Sequence, residues 1–336
     1  MADIGIIGAG SWGSALTFEL TGKGHEVYLW SIDPDEVRMI NEDHEQSVKL
    51  PGVRFPETVQ AGTDLEEAIR GRDLLVLAVP SSFTRSTARS MSPFVPEGTL
   101  IVSVAKGIEE DSLLTLTQII EQEIPQCRTA VLSGPTHAEE VGRGLPTAIV
   151  AGAARKKDAR SVQDLFMSDV FRVYTSPDVL GIQIGGALKN VVALAAGIAD
   201  GLGYGDNTKA ALITRGIAEI SRLGTALGGR QETFSGLTGI GDLIVTCASM
   251  HSRNRRAGIL IGQGKSPKEA MEEVQQVVEG VFCARAARQL SIKYHIETPI
   301  IEQVCLILEE GKDPAAAVRD LMLRDKKIES GDLDWV

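Results

Sequence analysis

An α/β fold is predicted for this chain by two observations. Short apolar runs alternate with amphipathic stretches through the first half, and long Ala-, Leu- and Gly-rich stretches with 3.6-residue spacing fill the second. The apolar runs Ile4–Ile7, Glu26–Trp30, Leu74–Val79, Leu100–Val104, Thr129–Leu132, Ala148–Val150 and Phe171–Tyr174 are expected to be strands of a parallel sheet. Between them, helices are expected over Trp12–Thr21, Pro34–Asn41, Leu65–Ile69, Phe83–Met91, Leu113–Glu121 and Lys157–Met167. Strand signals fade beyond Ser176-Pro177-Asp178, which predicts two domains, 1–177 and 178–336. The second is expected to be mostly helical, over Asp178–Ala199, Thr208–Leu227, Pro267–Glu273, Cys283–Leu290 and Pro299–Glu309. A glycine-punctuated segment, Ser235–Asp242, interrupts these helices, and a loose tail is expected after Ser330.

Among 336 residues, 45 are acidic and 34 basic, a net charge of −11 that argues against a nucleic-acid or anionic-membrane surface. The excess is uneven: Leu180–Arg256 holds eight basic residues against five acidic, so a local anion pocket is compatible with it. Cys127, Cys247, Cys283 and Cys305 are widely scattered, without the spacing of a metal site, and reduced thiols are expected. No apolar stretch reaches the roughly 18 residues of a membrane span, and no secretory leader is recognisable. A cytoplasmic protein without a metal is therefore expected.

Gly8-Ala9-Gly10-Ser11-Trp12-Gly13 fits G-x-G-x-x-G between an apolar strand and an amphipathic helix. Gly8 would permit the tight turn, Gly10 close approach of a pyrophosphate, and Gly13 close packing of helix on strand. The N–H groups at the start of the helix would face the anion. A Rossmann-like dinucleotide-binding domain follows from motif and context together. At the end of the second strand, Asp33 is suited either to a ribose hydroxyl or to capping the helix at Pro34, and Lys49 is the nearest base for a 2′-phosphate.

A lysine is unexpected in Gly185-Gly186-Ala187-Leu188-Lys189-Asn190-Val191-Val192, which is otherwise apolar on every helical face. A buried, hydrogen-bonded Lys189 is suited to proton transfer at a carbonyl oxygen. Lys106 follows a strand at the carboxyl edge of the sheet and is the candidate second cation, and Asp242 in Gly239-Ile-Gly-Asp242 is the candidate acid that orients Lys189. Ser252, Arg253 and Asn254 supply hydroxyl, guanidinium and amide donors suited to a phosphate, whereas Arg255 and Arg256 are expected to be a solvated basic turn.

With these motifs the chain resembles the bacterial NAD(P)-dependent glycerol-3-phosphate dehydrogenases. The resemblance runs through Gly8–Gly13, Val79-Pro80, Ala105-Lys-Gly-Ile108, Ser133-Gly-Pro-Thr136, Gly186–Asn190, Gly239–Asp242 and Ser252-Arg-Asn254. It implies NAD(P)H as cofactor and reversible reduction of dihydroxyacetone phosphate to sn-glycerol 3-phosphate for phospholipid synthesis, in a homodimer. It also implies cofactor contacts from Gly8, Gly10, Ser11, Trp12, Gly13, Lys49, Lys106, Ala138, Arg253, Val277 and Glu279. Substrate contacts are implied for Lys106, Gly134, Thr136, Lys189, Asp242, Ser252, Arg253 and Asn254, with Lys189 moving the proton and Lys106 and Asp242 assisting it. Ile32 stands where many relatives carry a basic or histidine residue. A β-hydroxyacid dehydrogenase and a non-catalytic dinucleotide sensor share parts of this pattern; the sensor leaves a buried Lys189 without a purpose.

Overall fold

The computed structural model describes residues 1–326, 328 and 329, so the expected tail after Ser330 lies outside the described residues. Eight strands form one sheet: β1 (Asp3–Ile7), β2 (Glu26–Trp30), β3 (Gln60–Gly62), β4 (Leu74–Leu77), β5 (Leu100–Ser103), β6 (Arg128–Ser133), β7 (Thr147–Gly152) and β8 (Phe171–Ser176). Their order is β3-β2-β1-β4-β5-β6-β7-β8. All four residues of β4 and of β5 are buried, and Ile4, Ile6 and Ile7 of β1 are fully buried, as expected for strands covered by helices on both faces. The chain runs outward from β1 to β3 and then crosses back to β4, so the order reverses between β1 and β4. The loops after β1 and β4 leave the carboxyl ends of the strands at that reversal, the position at which open α/β sheets bind ligands.

Two features of the sheet depart from expectation. β6 and β7 pair antiparallel, Val131 opposite Gly152 and Ser133 opposite Val150, because the link between them holds only the short helix Ala138–Val141 and turns straight back. β3 was not expected: Gln60-Ala61-Gly62 has no β-branched or aromatic residue, and pairing with Tyr28–Trp30 makes it a strand.

After Ser176 the described residues are helical, built around the long core helix Val179–Gly201. This helix is long and apolar enough to cross a membrane, although Lys189 and Asn190 interrupt its apolar run, but 89% of its most apolar window is buried inside the protein. Lys189 and Asn190 are its central polar residues, 5% and 4% exposed. Against it lies Arg253–Gly262, a helix the apolar periodicity does not reveal.

The two helices meet through glycines. A Cβ on Gly197 would lie 2.1 Å from Arg255 O, on Gly201 2.2 Å from Ile259 O, and on Gly258 2.2 Å from Leu194 O. Backbone touches backbone at this crossing, which no larger residue permits. Arg255 closes the same contact, its guanidinium 2.8 Å from Asp200 and from the carbonyl of Ala248. The expectation of a solvated turn is thus corrected: Arg255 is a paired, largely buried anchor, and Nε of Arg256 is buried as well.

Candidate active site

The glycine loop has the geometry its sequence requires. Gly8 has φ +122°, and a side chain there would press to 2.9 Å against the backbone of Ala78. A Cβ on Gly13 would come 2.0 Å from the carbonyl oxygen of Gly8. Gly10 differs: a Cβ there would meet nothing within 4 Å, so it faces open space. It caps the helix Ser11–Gly22 without a side chain, and the first N–H groups of that helix are left for a ligand. The fit to a dinucleotide rests on this open cradle at a helix N-terminus, after β1, where the strand order reverses. Gly10→Ala is expected to fold normally, with an unchanged melting temperature, and to raise the KM for the cofactor about tenfold or more by filling the cradle. Thermal melts and steady-state kinetics check both halves.

Residues 46–50 close one side of this loop. Fully buried Gln46 donates to Ala9 O (3.1 Å), and Ser11 Oγ donates to Lys49 O (2.6 Å). The Lys49 ammonium is ion-paired with Glu36, which also accepts a 2.6 Å hydrogen bond from Ser31. Asp33 adopts the capping alternative, accepting from the N–H of Asp35 at 2.9 Å, while Ile32 is 82% exposed. Glu36 was not anticipated; its place one helical turn into Pro34–Arg38 is the only signal that could have found it.

Beyond β5, the chemistry gathers on one carboxylate. Asp242, 1% exposed, is the first residue of the helix Asp242–Ala248. Its Oδ1 accepts from Lys189 Nζ and its Oδ2 from Lys106 Nζ, both at 2.7 Å. Lys189 donates a second hydrogen bond to Thr246 Oγ1 (2.6 Å), and Lys106 donates to the carbonyl of Gly134 (2.8 Å). Thr246 in turn donates to Asp242 O, one turn back on the same helix. Sequence reasoning missed Thr246 as a functional residue, although its i+4 spacing from Asp242 places both on one face.

Burial pushes Lys189 down to about 8, a shift that Lys106 increases and Asp242 partly opposes. Burial alone would raise Asp242, yet Lys106 and Lys189 outweigh it and hold the carboxyl below its ordinary range. Lys189 thus has two hydrogen-bond acceptors, Asp242 and Thr246, for its three ammonium protons.

A buried amide relay joins this centre to the helix Arg253–Gly262. Asn190 Nδ2 donates to Lys106 O (3.3 Å), Asn254 Nδ2 donates to Asn190 Oδ1 (2.9 Å), and Gly280 N donates to Asn254 Oδ1 (2.8 Å). Ser252 caps that helix, its Oγ accepting from Arg255 N, and Arg253 is exposed. Glu279 reaches back to the loop after β4: Ser81 N–H donates to it at 3.0 Å, and the Ser81 hydroxyl donates to its other oxygen. Burial raises the Glu279 carboxyl. Val277 is half-buried just before it, Ala138 is buried at the start of its short helix, and Thr136 Oγ1 donates to Gly134 O. The hydroxyl of Ser133 is buried without a partner among the described residues, and it flanks Gly186 opposite Lys106.

Comparison with known proteins identifies the family. Residues 3–159 match the family profile described as NAD-dependent glycerol-3-phosphate dehydrogenase N-terminus, and residues 178–319 match the profile for its C-terminus. A protein of Agathobacter rectalis named glycerol-3-phosphate dehydrogenase [NAD(P)+] is 61% identical over 335 residues, covering 100% of both chains. One of the same name from Bacillus subtilis is 50% identical over 99% of this chain and 97% of its own. The crystal structure of glycerol-3-phosphate dehydrogenase from Coxiella burnetii superposes with a TM-score of 0.93 at 39% identity, over 96% of this chain and 99% of that one. A glycine cradle, a lysine pair bridged by one aspartate and two matched profiles converge, and the chain belongs to the NAD-dependent glycerol-3-phosphate dehydrogenase family, oxidoreductases that act on a CH–OH group with NAD(P).

Proposed function

We propose that this enzyme interconverts dihydroxyacetone phosphate and sn-glycerol 3-phosphate, with Lys189 moving the proton at the oxygen of the reacting carbon. The observation that carries this reading is the bridge from Lys189 through the buried carboxylate of Asp242 to Lys106, which follows the carboxyl end of β5. Residues 1–177 would hold the dinucleotide, through Gly8, Gly10, Ser11, Trp12, Gly13, Lys49, Lys106 and Ala138, joined by Arg253, Val277 and Glu279 from the helical part. When bound, the nicotinamide ring supplies the hydride for the ketone carbon, or receives it in reverse.

The protein's own groups account for the rest. Lys189 offers its free proton to the ketone oxygen as negative charge develops there, and the charge of Lys106 stabilises the same oxygen. Asp242 keeps the two cations side by side and aims them. Gly134 and Thr136 would border the substrate, and Ser252, Arg253 and Asn254 would grip its phosphate, using binding energy remote from the reacting carbon to hold the ketone in place.

A lysine near 8 dictates opposite pH limbs for the two directions. Reduction needs the ammonium form and is expected to slow as pH rises through about 8; oxidation needs the free amine and is expected to quicken over the same interval. Initial rates in both directions between about pH 6 and pH 10 test this, and a shared limb would remove Lys189 from the role.

Ile32 exposed at the end of β2, with Lys49 drawn to Glu36, supports use of NADH as readily as NADPH. Steady-state reduction of dihydroxyacetone phosphate with each cofactor, beside a 3-oxo acid as rival substrate, is the deciding experiment. Turnover of the oxo acid alone would overturn the proposal. The proposal extends to a cytoplasmic homodimer whose product feeds glycerophospholipid synthesis. Unpaired cysteines at 127, 247, 283 and 305 support the reducing compartment, and the family resemblance supports the dimer.

A further inference from the structure

A buried amide on the core helix is left unused by the mechanism above. Gln183, 6% exposed, stands seven residues before Asn190, two turns away on the same face of the helix. Its Oε1 accepts from Thr117 N (3.0 Å), and its Nε2 donates to Thr117 Oγ1 (2.8 Å), to Thr115 Oγ1 (3.2 Å) and back to Val179 O (3.3 Å). Thr115 is the N-cap of the helix Leu116–Glu123, and Thr117 lies in its first turn. The amide therefore satisfies an N–H that this helix cannot satisfy itself.

The same contact closes the segment that carries Lys106. Ile108 pairs antiparallel with Thr115, and Glu109 N donates to Leu114 O (3.0 Å), so residues 108–115 form a closed loop separated from Lys106 by Gly107 alone. Gly107 has no room to shift, since a Cβ there would lie 2.3 Å from the side chain of Ser81. Ile108 is buried in one cluster with Ile184, Leu188 and Val191 of the core helix. On its outer side Arg85 takes both carboxylate oxygens of Glu109 (2.7 and 2.6 Å), which ties the loop to its own domain. On its inner side the core helix grips it at both ends, Asn190 at Lys106 O and Gln183 at Thr115 and Thr117. The helix that bears Lys189 thus also holds the loop that bears Lys106.

We propose that Gln183 is a further positioning residue for the reaction: through Thr115 and Thr117 it fixes the Lys106 loop against the core helix, and so holds the ammonium groups of Lys106 and Lys189 at their places on either side of Asp242. This rests on the reading of Lys189 as the proton donor with Lys106 beside it. The lysine pair supplies a readout that packing alone does not move. Burial lowers Lys189, Asp242 raises it, Lys106 lowers it and Cys247 raises it. His137, on which Lys189 also acts, is itself pushed below its ordinary value and carries no charge near pH 8. When Lys106 moves away, a repelling charge is withdrawn, and Lys189 keeps its proton to higher pH.

The test is the pH profile of kcat for dihydroxyacetone phosphate reduction at saturating NADH in wild type, Gln183→Met, Thr117→Val, Lys106→Met and the doubles of the first two variants with Lys106→Met. Gln183→Met, which keeps the length of the side chain, is expected to lower kcat about tenfold and to move the limb near pH 8 upward by about 0.5 to 1 pH unit. Thr117→Val removes the nearest hydroxyl but keeps the branched shape, and is expected to move the limb the same way by less. Lys106→Met is expected to move it at least as far as Gln183→Met, and the doubles no farther than Lys106→Met alone, because Gln183 acts through Lys106. Should Gln183→Met fail to fold, Thr117→Val and its double decide in the same way. A shifted limb in Lys106→Met beside a wild-type limb in Gln183→Met and Thr117→Val, whatever their melting temperatures, overturns this assignment alone, as does an additive shift in the doubles. A wild-type limb in Lys106→Met overturns the reading of the lysine pair and this assignment with it.

Discussion

Lys189→Ala is expected to lower kcat for dihydroxyacetone phosphate reduction by about a thousandfold while leaving cofactor affinity within about twofold, the range set by loss of a positioned general acid. The two fixed hydrogen bonds of the ammonium go to Asp242 and Thr246, neither of which belongs to the glycine loop. Truncation removes the proton and leaves the cradle untouched. Lys189→Met separates chemistry from packing, because it keeps the aliphatic stem in the apolar core helix. Without the ammonium, Asp242 still has Lys106 as its partner, so no carboxylate is stranded and the melting temperature is expected to hold. Stopped-flow reduction and cofactor fluorescence titration measure the two effects; near-normal turnover in Lys189→Met would falsify the assigned role.

The second large effect is expected from Asp242→Asn, which withdraws the anion shared by two ammonium groups. Breaking a buried pair by removing one partner costs about 3 to 5 kcal/mol, because the remaining charge is left uncompensated. The cost should depend on pH. Lys189 is lowered in the folded state to about 8, so the folded protein binds this proton less tightly than the unfolded chain. In wild type stability then rises with pH between the folded and unfolded values; without Asp242, which holds the Lys189 pKa up, the uncompensated charge is shed at lower pH still. The Asp242→Asn penalty is therefore expected to be largest near pH 6 and to shrink near pH 9. Asp242 itself has a depressed pKa, so in wild type its contribution is present above the ordinary carboxylate range and lost as pH falls through the folded value. Urea midpoints of both proteins at the two pH values provide the check, and an equal penalty at each would mean that Asp242 does not compensate Lys189.

Much of this centre is legible in the amino-acid order, for physical reasons. A glycine triplet between strand and helix has few uses, and a lysine inside an apolar helix must find a partner, which directs attention to Asp242. Lys106 is visible because strand ends in open α/β sheets face the ligand. The strands β1, β2, β4, β5 and β8 stand close to where their apolar runs lie.

What stayed hidden shares one cause: the signal is tertiary. Arg253–Gly262 opens with Arg-Asn-Arg-Arg and holds two glycines, so its inward face has little apolar periodicity; backbone contact with the core helix replaces it. β3 is a strand through its neighbour, and the reversed direction of β7 leaves no mark in composition. Arg255 reads as solvated until Asp200, 55 residues away, is brought beside it. Thr246 and Glu36 are ordinary until their helices turn them toward Lys189 and Lys49.

The glycine crossing between the core helix and Arg253–Gly262 has a consequence for selectivity. One of these helices carries Lys189, and the other starts at Ser252, Arg253 and Asn254. With main chains in contact at Gly197, Gly201 and Gly258, neither can slide against the other without collision. On the proposed assignment, the proton donor and the phosphate seat are thereby two marks on a rigid ruler. A ketone one carbon shorter or longer between carbonyl and phosphate meets one mark or the other, and the enzyme measures its substrate by length.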